Sequence, residues 1–267
     1  MLEPIDPQNL PPLDDASAAP PRGVPHGGKL ERELDDLLER LTASADKLYA
    51  EGKRTLLVIL QGRDGAGKDG AIRKVFGAVN PQGLYVTPFA APAGDELRHD
   101  YLWRIHRAIP PYGAVGVFNR SQYEDVLAVR VRGLAPPEVW ERRFDQINAF
   151  EAMLAENRVT ILKFFFHISR DEQKKRLLKR LRRPEKRWKF QAGDLEDRAL
   201  WEEYGEAYRD VLTRCSTPHA PWFVVPADDK ATRDLLVARV VVKTLETMDP
   251  HPPEVDPEVL KLADKII

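Results

Sequence analysis

The sequence predicts an α/β fold: five parallel strands in one sheet, with helices on both faces. Two observations carry this expectation. Five short segments, TLLVILQG, GLYVTPF, AVGVFNR, VTILKFFFHIS and WFVVPAD, are mostly continuous apolar runs rather than alternating ones, as strands covered on both faces read. Between them lie stretches with apolar residues at helical spacing, the alternation that produces parallel βαβ units.

Taken in order, Leu30 to Ala50 forms an amphipathic helix, with Leu30, Leu34, Leu37, Leu38, Leu41 and Leu48 on one side. Thr55–Gly62 is the first strand, and a helix follows from Gly67 to about Ala78. Gly83–Phe89 is the second strand. Asp95 and Glu96 supply an acidic first turn for a helix running to Ala108. Ala114–Arg120 is the third strand, and Pro136 opens a long helix reaching about Asn157. Val159–Ser169 is the fourth strand. Asp171 opens a helix that Pro184 breaks, so a mobile loop is expected beyond it. Leu195 to about Thr213 is helical, Trp222–Asp228 is the fifth strand, and Ala231 to Thr247 is the last long helix.

The ends differ from the middle. Seven of the 22 prolines fall in the first 25 residues, so residues 1–29 read as an extended arm that can still pack across the surface. Residues 30–248 form the domain, and 249–267, opened by DPHPPEVDP, form a tail. A single cysteine, Cys215, excludes an internal disulfide framework and fits a reducing compartment. Cys215 and His219 alone do not make a zinc site, and His99, His106 and His167 are assigned no role. No apolar run approaches the roughly 20 residues of a membrane helix, and the acidic, proline-rich N-terminus is no secretory signal. A cytoplasmic protein without a membrane partner is expected.

Net charge is −1 from 41 Lys+Arg and 42 Asp+Glu, but its distribution is uneven. Arg170–Lys189 holds 11 basic and 3 acidic residues, whereas Gln191–Asp210 holds 7 acidic and 2 basic. Local charge selects partners, and the basic block marks a site for an anion.

The segment Gly62-Arg63-Asp64-Gly65-Ala66-Gly67-Lys68-Asp69 fits G-x-x-x-x-G-K between a strand and a helix. Glycines let the backbone turn tightly, so that N–H groups of Gly65, Ala66, Gly67, Lys68 and Asp69 face a phosphate at a helix N-terminus. Lys68 adds a charge for the transferring group. Asp69 stands where Ser or Thr would give a hydroxyl to Mg²⁺. A carboxylate beside a polyphosphate needs a cation between, so Mg²⁺ is expected, with Asp64 the preferred ligand. Asp69 lies on the first helical turn, where the dipole alone also favours an acid.

Ligands of an open parallel sheet gather at the strands' carboxyl ends. There Asn119 and Arg120 end the third strand, with Glu124 and Asp125 about one turn beyond. Arg120 can clamp a phosphate; Asp125 or Glu124 can hold Mg²⁺ or orient an acceptor. The dense run from Lys179 through Arg182, Arg183, Lys186 and Arg187 to Lys189 reads as a lid over phosphates, about 180–195, resting on the acidic stretch that follows. Trp188 is expected to anchor it.

These residues resemble the family-2 polyphosphate kinases, through the Gly62–Asp69 loop, through Val117-Phe118-Asn119-Arg120-Ser121-Gln122-Tyr123-Glu124-Asp125-Val126-Leu127 and through the basic lid with Trp188. The resemblance spans roughly Leu30 to Thr247. It implies a thymidylate-kinase-like P-loop fold of three layers with a helical lid, and Mg²⁺-dependent phosphoryl transfer between inorganic polyphosphate and nucleotides. It also implies a homodimer or homotetramer. By position it gives Asp64 to Mg²⁺, Lys68 to the transferring phosphate, and Arg120, Arg182 and Arg183 to phosphate binding. Many members carry aspartate where this chain has Asn119, and Asp125 or Glu124 would replace that acid. The Asn-Arg-Ser-x-Tyr-Glu-Asp version resembles the subgroup acting on both nucleoside mono- and diphosphates: AMP and ADP giving ADP and ATP, with guanine nucleotides as further acceptors. Two other readings stand beside it. An ATP-dependent nucleoside monophosphate kinase shares the fold but leaves the long basic block oversized. A non-catalytic polyphosphate or nucleic-acid binding protein leaves the loop unexplained, and a nucleic-acid partner is not expected.

Overall fold

The computed structural model describes residues 1–256 together with 259, 262 and 266. Most of the expected tail beyond residue 256 therefore lies outside the described residues.

Strands β1 (Thr55–Gly62), β2 (Leu84–Pro88), β3 (Val115–Asn119), β4 (Val159–His167) and β5 (Trp222–Pro226) form one sheet in the order β2-β3-β1-β4-β5, every pairing parallel. The crossover places β1 at the centre, where all eight of its residues are buried. Its register against both neighbours, Leu60 opposite Asn119 and Gly62 opposite Phe166, brings the ends of β1, β3 and β4 to one rim. That rim carries the site.

Two apolar cores, one on each face, make three layers. On one face α1 (Gly28–Glu51), α2 (Lys68–Val75) and α9 (Lys230–Met248) pack Leu34, Leu41, Leu48, Val75 and Leu235 against Leu56, Val58 and Leu60. Leu30, Leu34, Leu37, Leu41 and Leu48 are buried as their spacing requires, with Leu38 partly buried at the margin of that stripe. On the other face α3 (Trp103–Arg107), α5 (Pro137–Glu156) and α8 (Trp201–Arg214) cover Leu57, Ile59, Ile161 and Phe165. Each fully buried leucine contributes about 2 kcal/mol of transfer free energy, so the two faces rather than helix propensity hold the layers together.

Four expectations need correction. The helix from Asp95 to Ala108 is instead a 3₁₀ turn (Gly94–Arg98) followed by α3, because Asp100 restarts the chain: its Oδ1 accepts from Leu102 N at 3.0 Å and its carbonyl from Trp103 N at 3.1 Å. The helix from Leu195 to Thr213 is two, α7 (Gly193–Ala199) and α8, separated at Leu200, whose ψ of 38 leaves the helical region. After α6 (Arg170–Arg182), Pro184–Lys189 forms a 3₁₀ turn rather than an irregular loop. Trp188 does not anchor that turn in a core; its ring is 74% exposed and its indole N–H donates to Glu185 O. A last short helix, α4 (Ala128–Val131), follows the turn after β3.

The N-terminal arm is ordered across the β5 side. Ile5 is buried and its N–H donates to Trp222 O at 2.8 Å, Asp228 N donates to Ala18 O, and Asp15 Oδ1 accepts from Arg170 N at the start of α6. His167 Nε2 meets Asp14 O at 2.7 Å, so this histidine serves the arm. Cys215 is buried.

Candidate active site

The loop between β1 and α2 takes its shape from its glycines and from cations behind it. Gly67 has φ +100, and a Cβ there would lie 2.0 Å from Arg233 Nη1. Gly62 approaches β4 so closely that a Cβ would meet Phe166 O at 2.8 Å. Arg176 of α6 donates from Nη1 to Gly65 O and Ala66 O, Arg233 of α9 donates to Ala66 O, and Gln173 Nε2 donates to Asp64 O at 2.9 Å. Peptide C=O and N–H groups point in opposite directions, so tying the carbonyls outward turns amides toward the concave side; Ala66, expected among them, instead donates its N–H to Arg63 O at 3.1 Å. Arg176 and Arg233 also add fixed positive charge. Sequence reading missed both, as well as Gln173; their signal is long-range, because they come from distant helices.

Lys68 lies within this cradle, donating from Nζ to Gly62 O at 2.6 Å. Burial lowers its pKa to about 8, Arg120 pushes the same way, and Asp64, Glu124 and Asp69 oppose. Asp64 faces Lys68 and Arg120. Burial alone would raise its carboxyl, but those two cations hold it below the usual range. Arg120 Nη2 donates to Asp64 Oδ1 at 2.8 Å, joining the loop to the end of β3. Arg120 has φ +64, a left-handed conformation uncommon outside glycine, and Glu124 and Asp64 raise its pKa against the opposing effect of burial. Asn119 donates from Nδ2 to Asp69 Oδ1 at 2.9 Å.

Beyond Arg120, Ser121 caps the 3₁₀ turn Gln122–Asp125. That turn sends its two acids in different directions. Glu124 faces the loop: its charge acts on Lys68 and Arg120, and Gln61 Nε2 donates to its Oε1 at 3.0 Å once the Gln61 amide is oriented to suit its neighbours. Asp125, expected beside the metal, instead pairs with Arg143 at 3.0 Å and Arg104 at 3.9 Å in a cleft of about 580 Å³ that Tyr101, Glu96 and Arg142 also line. Burial raises its pKa to about 6 despite the two arginines. The geometry thus separates the two candidates for the acid missing at Asn119, with Glu124 on the loop side.

The lid segment meets the loop through a residue the sequence did not single out. Asp194 of α7 lies close enough to Asp64 for the two carboxyls to interact; burial and Asp64 raise the Asp194 pKa. Arg180 of α6 holds Asp194 at 3.1 Å, the contact between basic block and acidic stretch that charge patterning anticipates. Arg182, Arg183, Lys186 and Arg187 are exposed, with Arg187 Nε donating to Leu181 O. Two carboxyls in such proximity favour sharing a proton or taking a cation. Among the described residues no three His, Cys, Asp or Glu gather into a metal cluster. This donor set fits Mg²⁺, which is commonly held by one or two carboxylates, substrate phosphates and water. No helix among the described residues is long and apolar enough to cross a membrane.

Comparison with known proteins agrees with this geometry. The family description "Polyphosphate kinase 2" matches residues 27–253. The AMP/ADP-polyphosphate phosphotransferase of Meiothermus ruber is 53% identical over 210 residues, 79% of each chain. The ADP-polyphosphate phosphotransferase of Rhodopseudomonas palustris is 42% identical over 246 residues, covering 86% of this chain and 85% of its own. The crystal structure of polyphosphate kinase 2 from Arthrobacter aurescens TC1 superposes with a TM-score of 0.83 at 43% identity, over 89% of this chain and 87% of that one. Matched in sequence and in structure over most of its length, the chain is a phosphotransferase and belongs to the polyphosphate kinase 2 family.

Proposed function

We propose that this enzyme transfers phosphoryl groups from inorganic polyphosphate to both AMP and ADP, making ADP and ATP, with Mg²⁺ as its cation. The observation that carries the reading is the Asp64–Arg120 contact, which joins the loop to the end of β3. The 53% identity to an AMP/ADP-polyphosphate phosphotransferase supports the dual acceptor.

In this reading the terminal phosphate of the polymer sits on the amides of Gly65, Gly67, Lys68 and Asp69, and the polymer runs beneath Arg182, Arg183, Lys186 and Arg187 in the 180–195 lid. The acceptor enters from the Arg120 side, with the cleft of Arg104, Asp125 and Arg143 next to it. A phosphate oxygen of the acceptor attacks in line; one P–O bond forms, the bridging P–O bond breaks, and the shortened polymer leaves with the electron pair. Such transfer depends on position and charge, so no protein nucleophile is needed. Lys68 and Arg120 neutralise the oxygens as charge moves. Asp64 would hold Mg²⁺, with Asp194 and Glu124 nearby, and the ion would supply positive charge to the phosphate oxygens. Guanine nucleotides are further acceptors, and the working form is a cytoplasmic homodimer or homotetramer.

The test is an assay with Mg²⁺, polyphosphate and AMP or ADP, no ATP added. ADP and ATP formed from AMP support the reading. Product from ADP alone removes the dual acceptor, and transfer only from ATP to AMP replaces polyphosphate as donor. Replacing Arg182 and Arg183 by Ala should weaken apparent polyphosphate affinity about ten-fold and flatten its salt dependence, nucleotide affinity changing little. Unchanged polyphosphate affinity removes the lid role.

A further inference from the structure

Beneath the turn that carries Arg120 and Glu124 lies a charged group that the reaction does not touch. Lys163, in the middle of β4, donates from Nζ to Glu151 Oε2 at 2.5 Å, to Tyr123 OH at 2.7 Å and to Cys215 O at 2.7 Å. Glu151 of α5 accepts through Oε1 from Tyr123 OH at 2.8 Å and from Gln122 Nε2 at 2.9 Å. Lys163, Glu151 and Tyr123 have no exposed surface, and Gln122 is 1% exposed. The Tyr123 ring also packs edge-on against Trp222 of β5, with centroids 4.8 Å apart.

Burying such an ion pair rarely adds stability over well-packed apolar residues of the same volume. Its distinguishing property is geometric: each hydrogen bond fixes a direction as well as a distance. Here the bonds converge on Gln122 and Tyr123, two of the three residues between Arg120 and Glu124. From above, Gln61 at the end of β1 engages Ser121 and Glu124. The turn is thus clamped from both sides, while Arg120 holds a left-handed conformation that a relaxed chain would leave.

We propose that Lys163 and Glu151 are positioning residues for phosphoryl transfer: through Tyr123 and Gln122 they fix the turn that aims Arg120 and Glu124 at the reacting phosphates. This rests on the site assignment above, in which Arg120 meets those phosphates. Among the described residues the network's hydrogen bonds reach neither the loop nor the basic lid, so it sets turnover and leaves polymer binding alone.

The experiment replaces the pair together, Glu151→Leu with Lys163→Met, so that no lone charge is left buried. The expected result is a cooperative melt within about 5 °C of wild type, a kcat about ten-fold or more lower, and an apparent polyphosphate affinity within about two-fold of wild type. A purely structural network would lower the melting temperature and leave kcat per folded molecule unchanged, and that outcome overturns the proposal. If the double variant does not fold, Tyr123→Phe decides, since it keeps the ring against Trp222 and deletes only the bridging hydroxyl. A several-fold lower kcat at unchanged polyphosphate affinity supports the proposal, and wild-type kcat overturns it. Arg120→Ala serves as the control. If that variant turns over normally, the site assignment fails and the proposal with it; if it is inactive while the network variant is normal, only the proposal fails.

Discussion

Asn119 and Asp69 meet across 2.9 Å, amide to carboxylate, so the end of β3 is joined to the first turn of α2 without a charge on the β3 side. Introducing Asn119→Asp would set two carboxylates against each other. Because the contact is solvent-exposed, the cost is only about 0.5–1 kcal/mol, or about 1–4 °C in Tm. Mg²⁺ between the two acids should restore that loss. Melting the variant with and without Mg²⁺ checks this, and a Tm equal to wild type without the cation would show that the amide is not what matters there.

The Lys68 ammonium titrates at about 8 in the free protein because it is buried, and a polyanion placed above it favours its charged form. Polyphosphate binding should therefore take up a proton, up to about half per site near pH 8 and little at pH 6. Binding weakens as pH rises through about 8. The stability sign is opposite. The folded pKa lies below that of the unfolded chain, so this lysine destabilises the free protein fully below about 8, and the penalty is relieved as pH climbs toward about 10.5. Calorimetry of binding in two buffers of different ionisation enthalpy measures the uptake; Lys68→Ala should abolish it and lower kcat by about 10² or more.

Asp64 and Asp194 bring two carboxyls together from opposite sides of the site. Asp194→Asn removes one charge, so without Mg²⁺ the variant should be as stable as wild type or slightly more so. The Mg²⁺ concentration for half-maximal activity should rise about ten-fold. Asp64→Asn, which removes the carboxylate facing Lys68, should lower kcat by about 10² even at saturating Mg²⁺. An unchanged Mg²⁺ requirement in Asp194→Asn would confine that residue to holding Arg180.

Gly67→Ala meets two obstacles, the positive φ and the Arg233 guanidinium 2.0 Å from the new methyl. Gly94→Ala meets only the first, with nothing within 4 Å. The strain alone costs about 1 kcal/mol, a Tm fall of about 2–4 °C at this size. Gly67→Ala should fall further and lose phosphate binding, because Arg233 must release Ala66 O. Equal Tm changes in the two variants would mean that Arg233 yields freely.

Much of the fold was legible because strands buried on both faces leave a mostly apolar record, as TLLVILQG and VTILKFFFH do. Breaks within helices were less so: Asp100 opens the turn before α3 by accepting from Leu102 N, and Leu200 separates α7 from α8 within an ordinary helical sequence. Local motifs fixed the positions of Asp64, Lys68 and Arg120 at the site. Asp194, Arg176 and Arg233 reach the loop from far along the chain, so no spacing announces them. The choice between Glu124 and Asp125 depended on which way adjacent residues of a 3₁₀ turn face, and Arg104 and Arg143 draw Asp125 to the other side. One readable signal was passed over: Lys163 interrupts an apolar strand, and a lysine there demands a buried partner.

The arm has a consequence for solubility. β5 is the outermost strand on its side of the sheet, and Ile5 occupies the Trp222 carbonyl that would otherwise point outward. An unpaired strand margin is a template on which other chains can add, so the first residues act as a built-in cover against self-association. Shortening the chain from its N-terminus would therefore yield a protein that keeps its catalytic loop yet is prone to precipitate.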